Sequence, residues 1–155
     1  MKMTPAIVLL AATCVFAQDS GTAKVFREQF AQLHKRTTDV MTRAEQTVRD
    51  GTAQTADGSE LRHEILALTS LVHNLDEDAQ RSYLNALTAS RDALKEGGTR
   101  RTENPNKDVL FVEMGSEQLA FVLGALDNFL ETEDKAFLGF AKQGNDLTSS
   151  IEKLL

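Results

Sequence analysis

Phe26, Phe30, Leu33, Thr37, Val40, Ala44 and Val48 recur at steps of three and four residues. On a helical wheel they fall on a stripe about 100° wide, the narrow seam of a helix packing into a bundle. The spacing predicts a first helix from Thr22 to Asp50, with Gly51 as its stop and "TAQTADGS" as a polar loop after it. Leu61, Ile65, Leu68, Val72 and Leu75 form a second stripe, and Asp57 and Glu60 stand three apart at its start, as a capping box requires. Near "HNLDEDAQ" the phase shifts. Either the helix kinks there, or Asn74 and Glu77 cap a new one with acids in its first turn, where the helix dipole favours them. Ala79, Tyr83, Ala86, Leu87, Ser90, Ala93 and Leu94 make the apolar side that follows.

"EGGTRRTENPNKD", Glu96 to Asp108, interrupts the pattern: Gly97 and Gly98 stop one helix, and Pro105 holds back the next. It is long for a helix–helix connection. It reads as a solvated crossover loop, the alternative being a partner-binding or cleavage loop centred on Arg100 and Arg101. Phe137, Phe140, Ala141, Gly144, Leu147, Ile151 and Leu154 form the last stripe. Either Thr132 caps that helix, or the chain bends near "ETEDK". Strand-like alternation is absent. These patterns predict an all-α fold: a single antiparallel bundle of four to five amphipathic helices, with a long loop near residues 96–108.

Between the loop and the last stripe lies "VLFVEMGSEQLAFVLGALDNFL", Val109 to Leu130. It is apolar enough to raise the question of a membrane span. Glu113, Glu117, Asp127 and Glu131 share a polar stripe, and acids at the bilayer centre cost a few kcal/mol each. The stretch has no basic flank to anchor it. Its apolar arc is broad, roughly 200°. A helix touching one neighbour needs a narrow seam, so this one is expected at the centre of the bundle. The arc also carries the candidate site. Phe111, Met114, Val122, Leu126 and Phe129 are the expected lining of an apolar ligand cavity, facing small residues on other helices such as Ala44, Ala79, Ala86, Ala93, Ala141 and Gly144. The rival expectation is that these side chains simply fill the core. Gly115 and Gly124 inside the helix each cost about 1 kcal/mol relative to Ala, which makes sense where a helix or a ligand comes close.

The first residues place the chain in a compartment. Lys2 followed by "PAIVLLAATCVFA" reads as a secretory signal, too short to span a bilayer, with Val15 and Ala17 before a cut at Gln18. A lipid anchor on Cys14 is the rival, opposed by Thr13 where a smaller residue is usual. The expected organisation is therefore a signal peptide over residues 1–17 and a helical-bundle domain over 18–155. The expected location is extracellular, or periplasmic in a bacterium. Cleavage removes the single cysteine and leaves no disulfide or thiol chemistry. It also takes Lys2, so the formal charge becomes more negative than the −6 of the full chain. An acidic protein does not attract nucleic acid or anionic lipid by long-range charge. No Asn-x-Ser/Thr acceptor occurs.

Reactive constellations are scarce. Glu60 and His63 form one Glu-x-x-His, but a bundle di-iron site needs the motif twice, so both read as surface residues. His34, His63 and His73 fall on different helices or faces. Asp76 to Asp78 lack the spaced oxygens and glycine of a calcium loop and read as a helix N-terminus. No Gly-x-Ser-x-Gly occurs, and the mature chain has no cysteine nucleophile. With no Trp and one Tyr, stacking platforms for sugars or bases are not expected. The expectation is a non-enzyme without metal or cofactor.

In helix pattern and secretion the chain resembles insect exchangeable apolipoproteins and fungal hydrophobic-surface-binding cell-wall proteins, a likeness carried by no diagnostic motif. The secretory signal, the amphipathic helices, the cysteine-free mature chain and the broad apolar arc lead to the expectation of a carrier or binder of a lipid, a hydrophobic small molecule or a hydrophobic surface. An apolipoprotein opens its bundle onto lipid with one-sided helices. Val109 to Leu130 is too broadly apolar for that and holds no basic residue. A cavity or a fixed surface patch is expected instead. The alternative is a secreted protein–protein interaction module or effector, whose apolar faces are core or interface.

Overall fold

The computed structural model describes residues 4–96 and 107–155, with side chains from residue 23 onward in those ranges. Four helices pack against one another: α1 (Thr4–Arg49), α2 (Ala56–Lys95), α3 (Lys107–Thr132) and α4 (Lys135–Glu152). No strand occurs among the described residues. The loop expected near residues 96–108 lies almost wholly outside them.

α1 buries Phe26, Phe30, Leu33, Thr37, Val40 and Ala44, the stripe its spacing predicts. Gly51 ends it in the left-handed region at φ 72°. Gly51 N donates to Val48 O at 3.1 Å and Thr52 N to Thr47 O at 3.0 Å, the paired bonds of a Schellman motif.

α2 starts earlier than the sequence suggests. Its N-cap is Thr55, whose side chain makes no cap bond. Thr55 Oγ1 instead donates to Thr52 O at 2.7 Å, within the tight link from α1. Asp57 therefore sits in the first turn and does not cap. Gly58 permits this close return, because a Cβ there would stand 1.8 Å from Ala53 O. No break occurs at residues 74–78. The buried stripe Leu61, Ile65, Leu68, Val72, Leu75, Ala79 carries straight through at alternating steps of four and three. "DED" lies in the middle of a helix, not at its N-terminus.

α3 touches all three other helices, which is what its broad arc requires. It buries Val109, Val112, Gly115, Ser116, Leu119, Val122, Leu123, Ala125, Leu126, Phe129 and Leu130. By length and composition alone it is apolar enough to cross a membrane. Here much of its apolar face is covered by its neighbours, although Met114 and Phe121 stay about half exposed. Burying the eight large apolar side chains among its buried residues stabilises by roughly 12–24 kcal/mol before chain entropy is subtracted.

"ETEDK" is a true break. Glu133 takes a left-handed conformation at φ 57°. Asp134 caps α4 by accepting from Ala136 N at 2.9 Å, and Thr132 Oγ1 accepts from Asp134 N at 3.2 Å. Gln54 closes the other side of this corner, with Nε2 donating to Leu130 O at 2.9 Å and Glu131 O at 3.1 Å. Those are carbonyls that the end of α3 leaves without helical partners.

Candidate functional site: an apolar seam between α3 and α4

Among the described residues, the five expected lining residues are divided between the core and the surface. Val122 and Leu126 are fully buried and Phe129 is 2% exposed, all within the packed core. Phe111 is half-buried, with the Lys107 ammonium 5.6 Å from its ring centroid. Met114 faces solvent. Gly115 and Gly144 sit close against side chains. A Cβ on Gly115 would stand 2.5 Å from the Phe30 ring, and one on Gly144 would stand 2.8 Å from Val122. Each glycine has been filled by a neighbour's side chain, not by a void. Gly124 differs, with nothing within 4 Å of its Cβ position.

Gly124 borders a groove of about 540 Å³ between α2 and α3. Ala53, Ile65, Leu66 and Leu123 supply its apolar wall, but Gln54, Ser59, Arg62, His63 and Asp127 line it as well. Arg62 Nε donates to Asp127 Oδ1 at 2.9 Å, and this bond holds the guanidinium charge more firmly than usual. None of the five expected residues borders the groove. Glu60 and His63 are exposed, as surface residues should be.

Of the eleven large apolar groups left in water among the described residues, five lie on α3, on α4 or just past its end. Met114 and Phe121 on α3, and Phe140, Leu147 and Leu154 on α4 and just past its end, are each 44–55% exposed. The α3 pair is spaced by seven residues and the other three by seven and seven, so each set lies along one line of its helix. The Phe121 ring comes within 3.0 Å of the Gly144 Cβ position, which joins the two lines across the helix contact. Asn145, Ser149 and Glu152 occupy the opposite flank of α4, against α1. The five side chains therefore border one outer seam, and Phe137 packs edge-on against Phe140 at 6.3 Å to extend it. Exposed apolar side chains gathered along one helix contact mark binding faces more often than scattered single residues do. Of the five, only Met114 is among the expected site residues. The heptad spacing of Phe140, Leu147 and Leu154 is visible in the sequence, but there it reads as a buried stripe.

A second feature joins residues remote in sequence. Asp76 on α2 and Glu113 and Glu117 on α3 bring carboxylate oxygens within 4.8 Å of one another. Asp76 Oδ1 is buried with no hydrogen-bond partner. Burial, then the charge of Glu117, pushes the Asp76 carboxyl up; burial, then Asp76 and Glu117, does the same to Glu113. A carboxyl whose folded pKa is raised binds its proton more tightly in the folded state. Its effect favours folding below the unfolded value and is lost as pH rises through the folded value. Asp76→Asn should therefore raise the melting temperature at pH 7 by about 1–3 °C, and the gain should vanish near pH 3.5. Calorimetry at the two pH values checks this; an Asn variant less stable at pH 7 would show that Asp76 has a stabilising partner.

No protein-family model, curated protein or solved structure matches this chain.

Proposed function

We propose that the chain is a secreted, non-enzymatic helical protein that binds lipid or another hydrophobic surface along the α3–α4 seam. The observation that carries this reading is the line of Met114, Phe121, Phe140, Leu147 and Leu154, five large apolar side chains left about half in water on adjoining helices. A buried cavity is not needed, because Val122, Leu126 and Phe129 are consumed by packing. The formal charge of −6 favours zwitterionic over anionic lipid. An antiparallel order of neighbouring helices belongs to the same proposal. Arg62 meets Asp127 while Asp76, further along α2, meets the earlier residues Glu113 and Glu117.

Co-sedimentation with phosphatidylcholine vesicles tests the reading. The wild type should bind, and Phe121→Glu with Phe140→Glu should lower affinity at least tenfold while leaving the helical circular dichroism unchanged. Moving one such ring out of water contributes about 1.5–3 kcal/mol, which is tenfold or more. A wild type that ignores vesicles, or a double variant that binds as well, sinks it.

The alternative is a protein–protein interaction module. Its specific support is α2 beyond Ala79, where Leu84, Leu87 and Leu94 are exposed and no further residue is buried. Sedimentation velocity across a range of concentrations separates the two. Self-association abolished by changes on α2, with vesicle binding absent, favours the module.

A further inference from the structure

Of the three histidines, His63 and His73 are exposed and His34 is buried. We propose that His34 is a proton-controlled latch tying the C-terminal turns of α4 to α1. Its side chain is only 10% exposed. Nδ1 makes a close contact with Glu152 Oε2, and Nε2 lies 3.1 Å from Asn145 Oδ1. Thr38 Oγ1 lies 3.3 Å from the same Asn145 oxygen while donating to His34 O at 3.0 Å. A carboxylate only accepts, and so does an amide oxygen. An imidazole satisfies acceptors on both nitrogens only when both carry protons. The neutral ring turns a lone pair on one of them, or forces Asn145 to reverse its amide.

The charged group facing the ring is Glu152, from α4. On α1 the contacts are Thr38 through Asn145 and the Phe30 ring, stacked at 6.2 Å. α2 and α3 place no hydrogen-bonding or charged group on the imidazole among the described residues. Ser149 Oγ stands 3.5 Å from Nε2, which gives a serine, a histidine and an acid in sequence. That serine is committed to its own helix, donating to Asn145 O at 3.0 Å. It also lies well inside α4, where backbone N–H groups are spent on helix bonds and cannot form an oxyanion hole. The arrangement is therefore built to hold helices together. A second α1–α4 ion pair among the described residues, Lys142 with Glu45 at 3.2 Å, is solvent-exposed and contributes little. The latch stands whether or not the apolar seam binds lipid, although Phe140, Leu147 and Leu154 of the seam follow the line of α4.

The test is nitrogen-15 NMR of the imidazole rings in the full chain, at pH 5.5 and 8.5, on either side of the range where imidazoles titrate. His34 should show both nitrogens protonated at pH 5.5 and a neutral ring at pH 8.5. Across the same change, amide exchange of residues 145–152, corrected for its intrinsic pH dependence, should rise about tenfold. Residues 61–72 of α2 should not follow. Glu152→Gln should flatten the response of α4. A neutral His34 at pH 5.5, or α4 exchange that is the same at both pH values, overturns the latch. If Glu152→Gln fails to fold, the wild-type ring shifts and exchange decide alone.

Discussion

Phe30→Ala should lower the free energy of unfolding by about 3–5 kcal/mol, measured by urea denaturation with an unchanged slope. Phe30 is fully buried, and its ring lies where α1 meets α3 and α4. It fills the place of a side chain on Gly115, whose Cβ would stand 2.5 Å from the ring and 3.4 Å from Ile151. Truncation removes the transfer free energy of the ring and opens a hole that a closely packed core cannot collapse to fill. The ring also stacks on His34, so its loss loosens the polar contacts of that histidine. Gly115→Ala should destabilise too, because its methyl meets the same ring. Combined, the two changes should cost clearly less than the sum of the single costs, since with the ring gone nothing opposes the new methyl. A loss below about 1 kcal/mol for Phe30→Ala would mean that the ring is not seated between the helices.

Gly58→Ala is the second large effect, and there two principles predict opposite signs. Helix propensity alone favours alanine by about 1 kcal/mol, because Gly58 lies in the first turn of α2. Packing opposes it. The new Cβ would stand 1.8 Å from Ala53 O, 2.4 Å from Ala53 C and 2.8 Å from Ala53 Cα. All three are backbone atoms in the short link, so no side chain can swing aside. The link or the start of the helix must move, and the net loss should be about 2–3 kcal/mol. Gly124→Ala is the matching control. Nothing lies within 4 Å of its Cβ position, so the propensity gain of up to about 1 kcal/mol should appear there intact. Melting curves of the two variants beside the wild type read the contrast. A neutral or stabilising Gly58→Ala would show that α2 does not start in contact with Ala53.

Much of the fold was legible because helices are local objects. The stripe from Phe26 to Ala44 has the period of one buried face, and the structure buries it. Gly51 reads as a stop because few other residues take its positive φ cheaply. The breadth of the apolar arc in α3 implied several neighbours, and α3 has three. Local signals failed where the backbone obeyed a distant contact. Asp57 and Glu60 have capping-box spacing, yet α2 starts at Ala56 because Gly58 docks on Ala53. Asn74 to Asp78 look like a new start, yet Leu75 and Ala79 stay in step with Val72 in one seam.

The candidate site was less legible for the same reason. Periodicity ranks residues around one helix by angle; it does not say which neighbour covers which angle, or where that cover ends. Val122 and Phe121 are adjacent in sequence and equally apolar, yet one is fully buried and the other 52% exposed. α4 lies over the first and only brushes the second. The carboxylates of Asp76, Glu113 and Glu117 come from two helices, α2 and α3. His34 and Glu152 lie 118 residues apart. The sequence alone determined that the chain forms amphipathic helices, where α1 stops, and that α3 is the hub, because these follow from chain-local sterics and the solvent cost of apolar surface. Only the tertiary structure decided that Phe30 packs against Gly115 and Val122 against Gly144, that five apolar groups border one open seam, and that a buried histidine contacts Glu152 and Asn145 of α4. Those follow from how four faces share a finite core, which no single face encodes.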